Sequence, residues 1–196
     1  SETGSASATA TTTNAFGFLA NSADEVTAIN ITGDADVYMT VAANTLDVVA
    51  VTIDASGMTG VGDFELVQTS NLVTGSTVIG SPNGDTVPLG TTLGSTYNLG
   101  AGNDASSTVV NTLVADGTAD TVLNMGAGTD TLTVTDAAPT LTDNHFTNVS
   151  GAEKLTLTGN GAQSVTAGGS FKAAFSSGVT VTSALGGDDD SFVYNG

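Results

Sequence analysis

Short stretches in which a small polar residue alternates with an aliphatic one recur along this chain. Thr131–Thr135 reads TLTVT, Lys154–Thr158 reads KLTLT and Val179–Thr182 reads VTVT. Side chains of a strand point alternately to opposite faces, so each stretch predicts a half-buried strand with Leu or Val inward and Thr outward. The same criterion, with Gly, Asn and Asp as boundaries, predicts strands at Val26–Ile31, Asp36–Val41, Asp47–Ile53, Phe64–Gln68 and Ser76–Ile79. Further strands are predicted at Thr108–Leu113, Thr121–Asn124 and Ser164–Thr166, and Ser191–Tyr194 has the look of another. Helix-forming runs are scarce. Asn14–Ala23 and Gly169–Phe175 carry the only weak helical patterns, and both read as loops or single turns.

Many short strands with frequent turn residues predict an all-β fold, either a parallel β-solenoid of the β-roll or β-helix kind or an antiparallel β-sandwich. Asn-Gly, the strongest hairpin signal, occurs only at Asn83–Gly84, Asn160–Gly161 and Asn195–Gly196, which favours the solenoid. The pattern divides the chain into residues 1–22, a Ser/Thr/Ala-rich leader or assembly arm, and residues 23–196, the solenoid. The last residues, Val193–Gly196, read as the middle of a rung, as in a longer array.

Charge changes the picture most. Twenty acidic residues face two basic ones, Lys154 and Lys172, for a net charge of −18. Without arginine the chain cannot neutralise itself, so solvent or bound cations must do so. Nucleic acid and anionic lipid, which are recognised through Lys and Arg, are excluded as partners. No apolar run reaches the roughly 18 residues of a membrane-spanning helix, so no membrane insertion is expected. Cysteine is absent and His145 is the one histidine. An H-E-x-x-H zinc site is therefore impossible, and no serine sits in a G-x-S-x-G elbow. The chain reads as a non-enzyme.

One self-match carries candidate chemistry. Asn98–Asp104 reads NLGAGND and Asn124–Asp130 reads NMGAGTD, 26 residues apart and identical at five of seven positions. A weaker copy, Leu185–Asp190 (LGGDDD), also precedes a predicted strand, and so does Gly117–Asp120 (GTAD). The recurring unit is a Gly-rich acidic turn followed by a strand. Glycine permits a left-handed backbone and close approach of carbonyl oxygens, and the Asp adds a hard, charged oxygen. Calcium takes six to eight such oxygens at about 2.3–2.6 Å. The candidate calcium ligands are thus Gly100, Gly102 and Asp104; Asp120; Gly126, Gly128 and Asp130; and Asp188, Asp189 and Asp190. Gly33–Asp36 (GDAD) and Asn83–Asp85 (NGD) read equally as ligand turns and as hairpin turns.

These segments resemble the RTX calcium repeat, G-G-x-G-x-D-x-U-x, where U is a large apolar residue. Gly128, Asp130 and Leu132 match its second glycine, its Asp and its U position. The leading Gly-Gly is Gly126–Ala127 here, and Ser106 stands at U in the Asp104 copy. Val26–Val41, Leu46–Gly60 and Phe146–Gly159 are similar to rungs of RTX-type bacterial surface-layer proteins and related large adhesins. The resemblance implies an extracellular protein of the bacterial cell surface, with Ca²⁺ at its turns and copies of itself as partner in a layer or fibre. It equally admits a calcium-rigidified adhesin module with cell-surface polysaccharide as partner.

Overall fold

The computed structural model describes residues 3–10, 14–18, 25–41, 49–68, 71–117, 119–184 and 189–196. In chain order the strands are β1 (Thr3–Ala10), β2 (Asn14–Phe18), β3 (Glu25–Gly33), β4 (Val37–Val41), β5 (Thr52–Met58) and β6 (Phe64–Gln68). They continue with β7 (Thr77–Ile79), β8 (Thr96–Asn98), β9 (Ala105–Thr108), β10 (Val122–Asn124), β11 (Thr131–Val134) and β12 (Thr140–Leu141). The last are β13 (Val149–Ser150), β14 (Lys154–Leu157), β15 (Ser164–Ala167), β16 (Thr180–Ser183) and β17 (Ser191–Tyr194). One short helix, α1 (Gly169–Ala174), and two single 3-10 turns, Val110–Leu113 and Asp143–Phe146, complete the described elements.

Every pairing between these strands is parallel. The fold is therefore a parallel β-solenoid of about six coils, and the antiparallel sandwich does not describe it. One face is a seven-stranded sheet in the order β1-β3-β5-β7-β8-β10-β13. A second face runs β2-β4-β6, is carried across Thr86 by bridges to Glu65 and Ala105, and continues as β9-β11-β14-β16. A third, smaller face holds β12-β15-β17. Non-consecutive neighbours arise because each coil visits the faces in turn before the next coil stacks on it.

The alternation expected from the sequence is what fills the core. In β11, Leu132 and Val134 are buried while Thr131 and Thr133 are not, and β14 repeats this with Leu155 and Leu157. The registers Thr131↔Lys154 and Leu132↔Leu155 stack like on like from coil to coil. The core is thus a column of thin aliphatic layers, as a composition of 39% hydrophobic residues with no Trp requires. Near α1 it thickens, where Phe146 packs edge-on against Phe171 at 4.9 Å between ring centres.

Some details depart from the expected strands. Thr3–Ala10 and Asn14–Phe18 are strands hydrogen bonded to β3 and β4 of the same chain. The stretch Thr108–Leu113 is split, with a strand ending at Thr108 and a 3-10 turn following. The strand expected at Asp47–Ile53 begins at Thr52, and Asp47 and Val48 lie outside the described residues. The weak helical pattern at Gly169–Phe175 is a true helical turn, because Asp143 accepts the N–H groups of Gly168, Ser170 and Phe171 at its start. Among the described residues no helix is long and apolar enough to cross a membrane.

Candidate functional site

The corner between the first and second faces is where the acidic turns fall. Asp36, Asp63, Asp85, Asp104, Asp130 and Glu153 each stand immediately before the residue that opens the second face, at Val37, Phe64, Thr86, Ala105, Thr131 and Lys154. Stacking the coils therefore stacks these six side chains into one column along the solenoid.

The glycines make the stacking possible. Gly126 has φ +94°, and a Cβ there would overlap the carbonyl oxygen of Gly100 in the preceding coil. A Cβ on Gly128 would overlap the carbonyl of Gly102 in the same way. Only glycine lets backbone lie on backbone at this distance. The contact is then closed by hydrogen bonds, from Ala127 N–H to Gly100 O at 2.9 Å and from Gly102 N–H to Ala127 O at 3.0 Å. Thus Gly100, Gly102, Gly126 and Gly128 come together at one corner, with the Gly100 carbonyl engaged by its neighbouring coil.

Within the column each carboxylate reaches an adjacent coil. Asp104 Oδ1 accepts the Asp85 N–H at 2.8 Å, and Asp130 Oδ1 accepts the Asp104 N–H at 2.8 Å. Glu153 Oε2 accepts the Asp130 N–H at 2.9 Å, and Asp85 Oδ1 accepts the Phe64 N–H at 2.9 Å. At the more exposed end the sense reverses, with Asp63 N–H donating to Asp36 Oδ1 at 3.1 Å. Sequence separations of 19, 26 and 23 residues across successive links show that the corner keeps its register although coil length varies.

The middle of the column is buried and crowded with carboxyl groups. Asp85, Asp104 and Asp130 are buried to within 1% of completely. Asp104 Oδ2 and Asp130 Oδ2 are buried and receive no hydrogen bond. Burial pushes the Asp104 carboxyl up to about 7; the Asp85 N–H pulls the other way, and the charges of Asp85, Asp130 and Asp63 add to the rise. Asp85 is pushed up to about 6, again by burial, against the donors Ser81 and Phe64. Asp130 is raised by burial, opposed by the Asp104 N–H and reinforced by Glu153. The two lysines are exposed, so no buried protein cation offsets these groups.

The other sequence-predicted ligands lie elsewhere. Asp120 folds back on its own loop, accepting the N–H groups of Asp116 at 3.0 Å and Gly117 at 3.1 Å. Asp188 lies outside the described residues, and Asp189 is exposed. Asp190 repeats the coil-to-coil device at another corner, with Oδ1 on the Gln163 N–H at 3.0 Å and Oδ2 on the Ser183 hydroxyl at 2.8 Å. Ser106, at the apolar position of the repeat, is buried and donates its hydroxyl to Val87 O at 2.8 Å, which is how a polar residue is accommodated there. Asp85 and Glu153 are column members that the repeat does not reveal: Asp85 follows S-P-N-G instead of G-A-G, and Glu153 beside Lys154 reads as a surface pair.

Among the described residues no three acidic or histidine side chains converge as a ready-made cage. The donor set that the column does offer is two buried, unpartnered carboxylate oxygens in adjacent turns. Such oxygens suit a hard cation whose remaining ligands are carbonyls and water. Comparison with protein-family models, with curated proteins and with solved structures gives no match.

Proposed function

We propose that this chain is an extracellular structural module, a calcium-stiffened β-solenoid that associates with copies of itself in a surface layer or fibre on a bacterial cell. The observation that carries the reading is the pair of unpartnered oxygens, Asp104 Oδ2 and Asp130 Oδ2, buried one above the other in a chain of net charge −18. Ionised carboxylates only accept hydrogen bonds, and leaving one buried without a partner costs several kcal/mol. Asp104 and Asp130 would hold the ion, which would supply positive charge between two coils and so fasten one turn to the next.

Self-association is supported at the other end of the stack. β16 and β17 are edge strands among the described residues, and Phe192, Val193 and Tyr194 are each nearly half exposed. Phe171, Phe175 and Val179 form a groove with Phe192 and Tyr194 beside this edge. Apolar surface on a parallel edge is the kind that a further coil covers, and in the proposed layer or fibre another copy would supply it.

A binding module of an adhesin is the second reading. It is favoured by a groove on the second face where Tyr38, 38% exposed, lies among Asp36, Asp63 and Glu65, an arrangement suited to stacking and hydrogen bonding a sugar. Light scattering of the purified chain separates the two. The structural reading expects large particles on adding calcium and their dissolution by a chelator. A chain that stays monomeric in calcium contradicts the structural reading and leaves the binding module.

A further inference from the structure

The calcium reading treats the buried turns alike, but the structure distinguishes them four residues before each carboxylate. Ser81, Gly100 and Gly126 stack on one another, so they are the same position in three successive coils. In the first coil Ser81 donates its hydroxyl to Asp85 Oδ1 at 2.6 Å and its N–H to Asp85 Oδ2 at 2.7 Å. With the Phe64 N–H on Oδ1, both oxygens of Asp85 are satisfied by protein. The next two coils have glycine at that position: the hydroxyl that bonds Oδ1 is missing, and Oδ2, which the Ser81 N–H bonds in the first coil, receives no hydrogen bond. Their carboxylates, Asp104 and Asp130, are those whose Oδ2 atoms are buried without a donor.

Resting on the calcium reading, we propose that the cation requirement is confined to the Asp104 and Asp130 turns, and that Ser81 makes the Asp85 turn cation-independent. The Ser81 hydroxyl and amide supply in one coil what a divalent ion supplies in the next two. The solenoid then has a part that folds without the ion, ending at the Asp85 turn, and a part that stacks on it only when the ion is present. Loading would proceed from that boundary, because the Asp85 N–H is the donor that positions Asp104 Oδ1, and the Asp104 N–H positions Asp130 Oδ1.

The test measures binding of calcium chloride by calorimetry to the unmodified chain and to Asp85→Asn, Asp104→Asn and Asp130→Asn. Asparagine keeps the Oδ1 acceptor and removes the charge. The expected result is that Asp104→Asn and Asp130→Asn each weaken binding by about tenfold or more, the loss of one charged ligand, while Asp85→Asn changes it less than about twofold. Hydrogen exchange on the unmodified chain gives a second reading that needs no variant to fold. A chelator should unprotect the segments around residues 98–104 and 124–130 and leave 77–87 protected. If Asp85→Asn weakens binding as much as Asp104→Asn, or the chelator unprotects all three segments equally, this inference falls and the calcium reading stands. If the unmodified chain binds no calcium, both fall.

Discussion

Asp104 and Asp130 set the terms at the scale of single residues. Each spends one oxygen on the amide of the coil before it and leaves the other buried with no donor. Without a cation, relief comes from a proton, and this has a definite sign. Unfolded aspartates titrate near 4, while burial raises Asp85 to about 6 and Asp104 to about 7. Between these values the folded chain holds protons that the unfolded chain has released. Their contribution to stability is complete below about pH 4 and is lost as pH rises through 6 to 7. Calcium-free protein should therefore be more stable at pH 5 than at pH 8, by about 2–4 kcal/mol. Urea melts in a chelator at the two pH values measure this, and a midpoint that rises toward pH 8 contradicts it. Part of this site was legible in the sequence: the paired GAG turns mark Asp104 and Asp130 as belonging together. Asp85 was legible only as a turn that reads equally as a hairpin, and Glu153 was not, because membership depends on standing at a corner of the coil, which no local motif encodes. Ser81 was also hidden, since its equivalence to Gly100 and Gly126 exists only once the coils are stacked.

Turns and strands divide the work at the scale of elements. Strands supply the layered core through alternation, and this was readable in β11 and β14, where four residues alternate; the same pattern at Val179–Thr182 leaves Val179 and Val181 exposed. Three short strands, β8, β12 and β13, show no period of their own and take their conformation from the parallel neighbours they pair with. At Val110–Leu113 a stretch read as strand, VNTL, is bent into a 3-10 turn, and Asp136 Oδ2 holds the Val110 N–H at 2.7 Å. The Gly-rich turns stack through backbone contact. Gly126→Ala, at a left-handed φ and against the Gly100 carbonyl, should cost about 2–4 kcal/mol in calcium, where that turn is stacked. Gly169→Ala, in α1 with nothing within 4 Å of the new methyl, should be neutral or slightly stabilising. Chemical denaturation of the two variants checks this, and similar costs for both would show that stacking at the turn is not what Gly126 provides.

At the scale of the whole molecule the fold has to reconcile parallel stacking with a charge of −18. Stacking puts equivalent residues of successive coils on top of one another, so every acidic corner meets another acidic corner. Repulsion is tolerated at the exposed Asp36 and Asp63, where water screens it, and is sharpest at the buried Asp104 and Asp130. Under the proposed function an external cation would offset this repulsion at the Asp104 and Asp130 turns. The parallel solenoid itself was legible from strand spacing and the scarcity of hairpin turns. That β1 and β2 stack on β3 and β4 was not, because Thr3–Ala10 alternates only Ala with Ser and Thr, side chains too small to mark a core face.

The most direct test of the proposed calcium site is the thermal melt of the purified chain at pH 8, in calcium and in chelator. An ion bound only by the folded state and present at 100 times its dissociation constant adds about 2.7 kcal/mol, which for a chain of this length raises Tm by about 5–10 °C. That rise is expected for the unmodified chain, and Asp104→Asn with Asp130→Asn should abolish it. An unchanged Tm for the unmodified chain would mean that the buried carboxylates are satisfied without calcium, and would contradict the account.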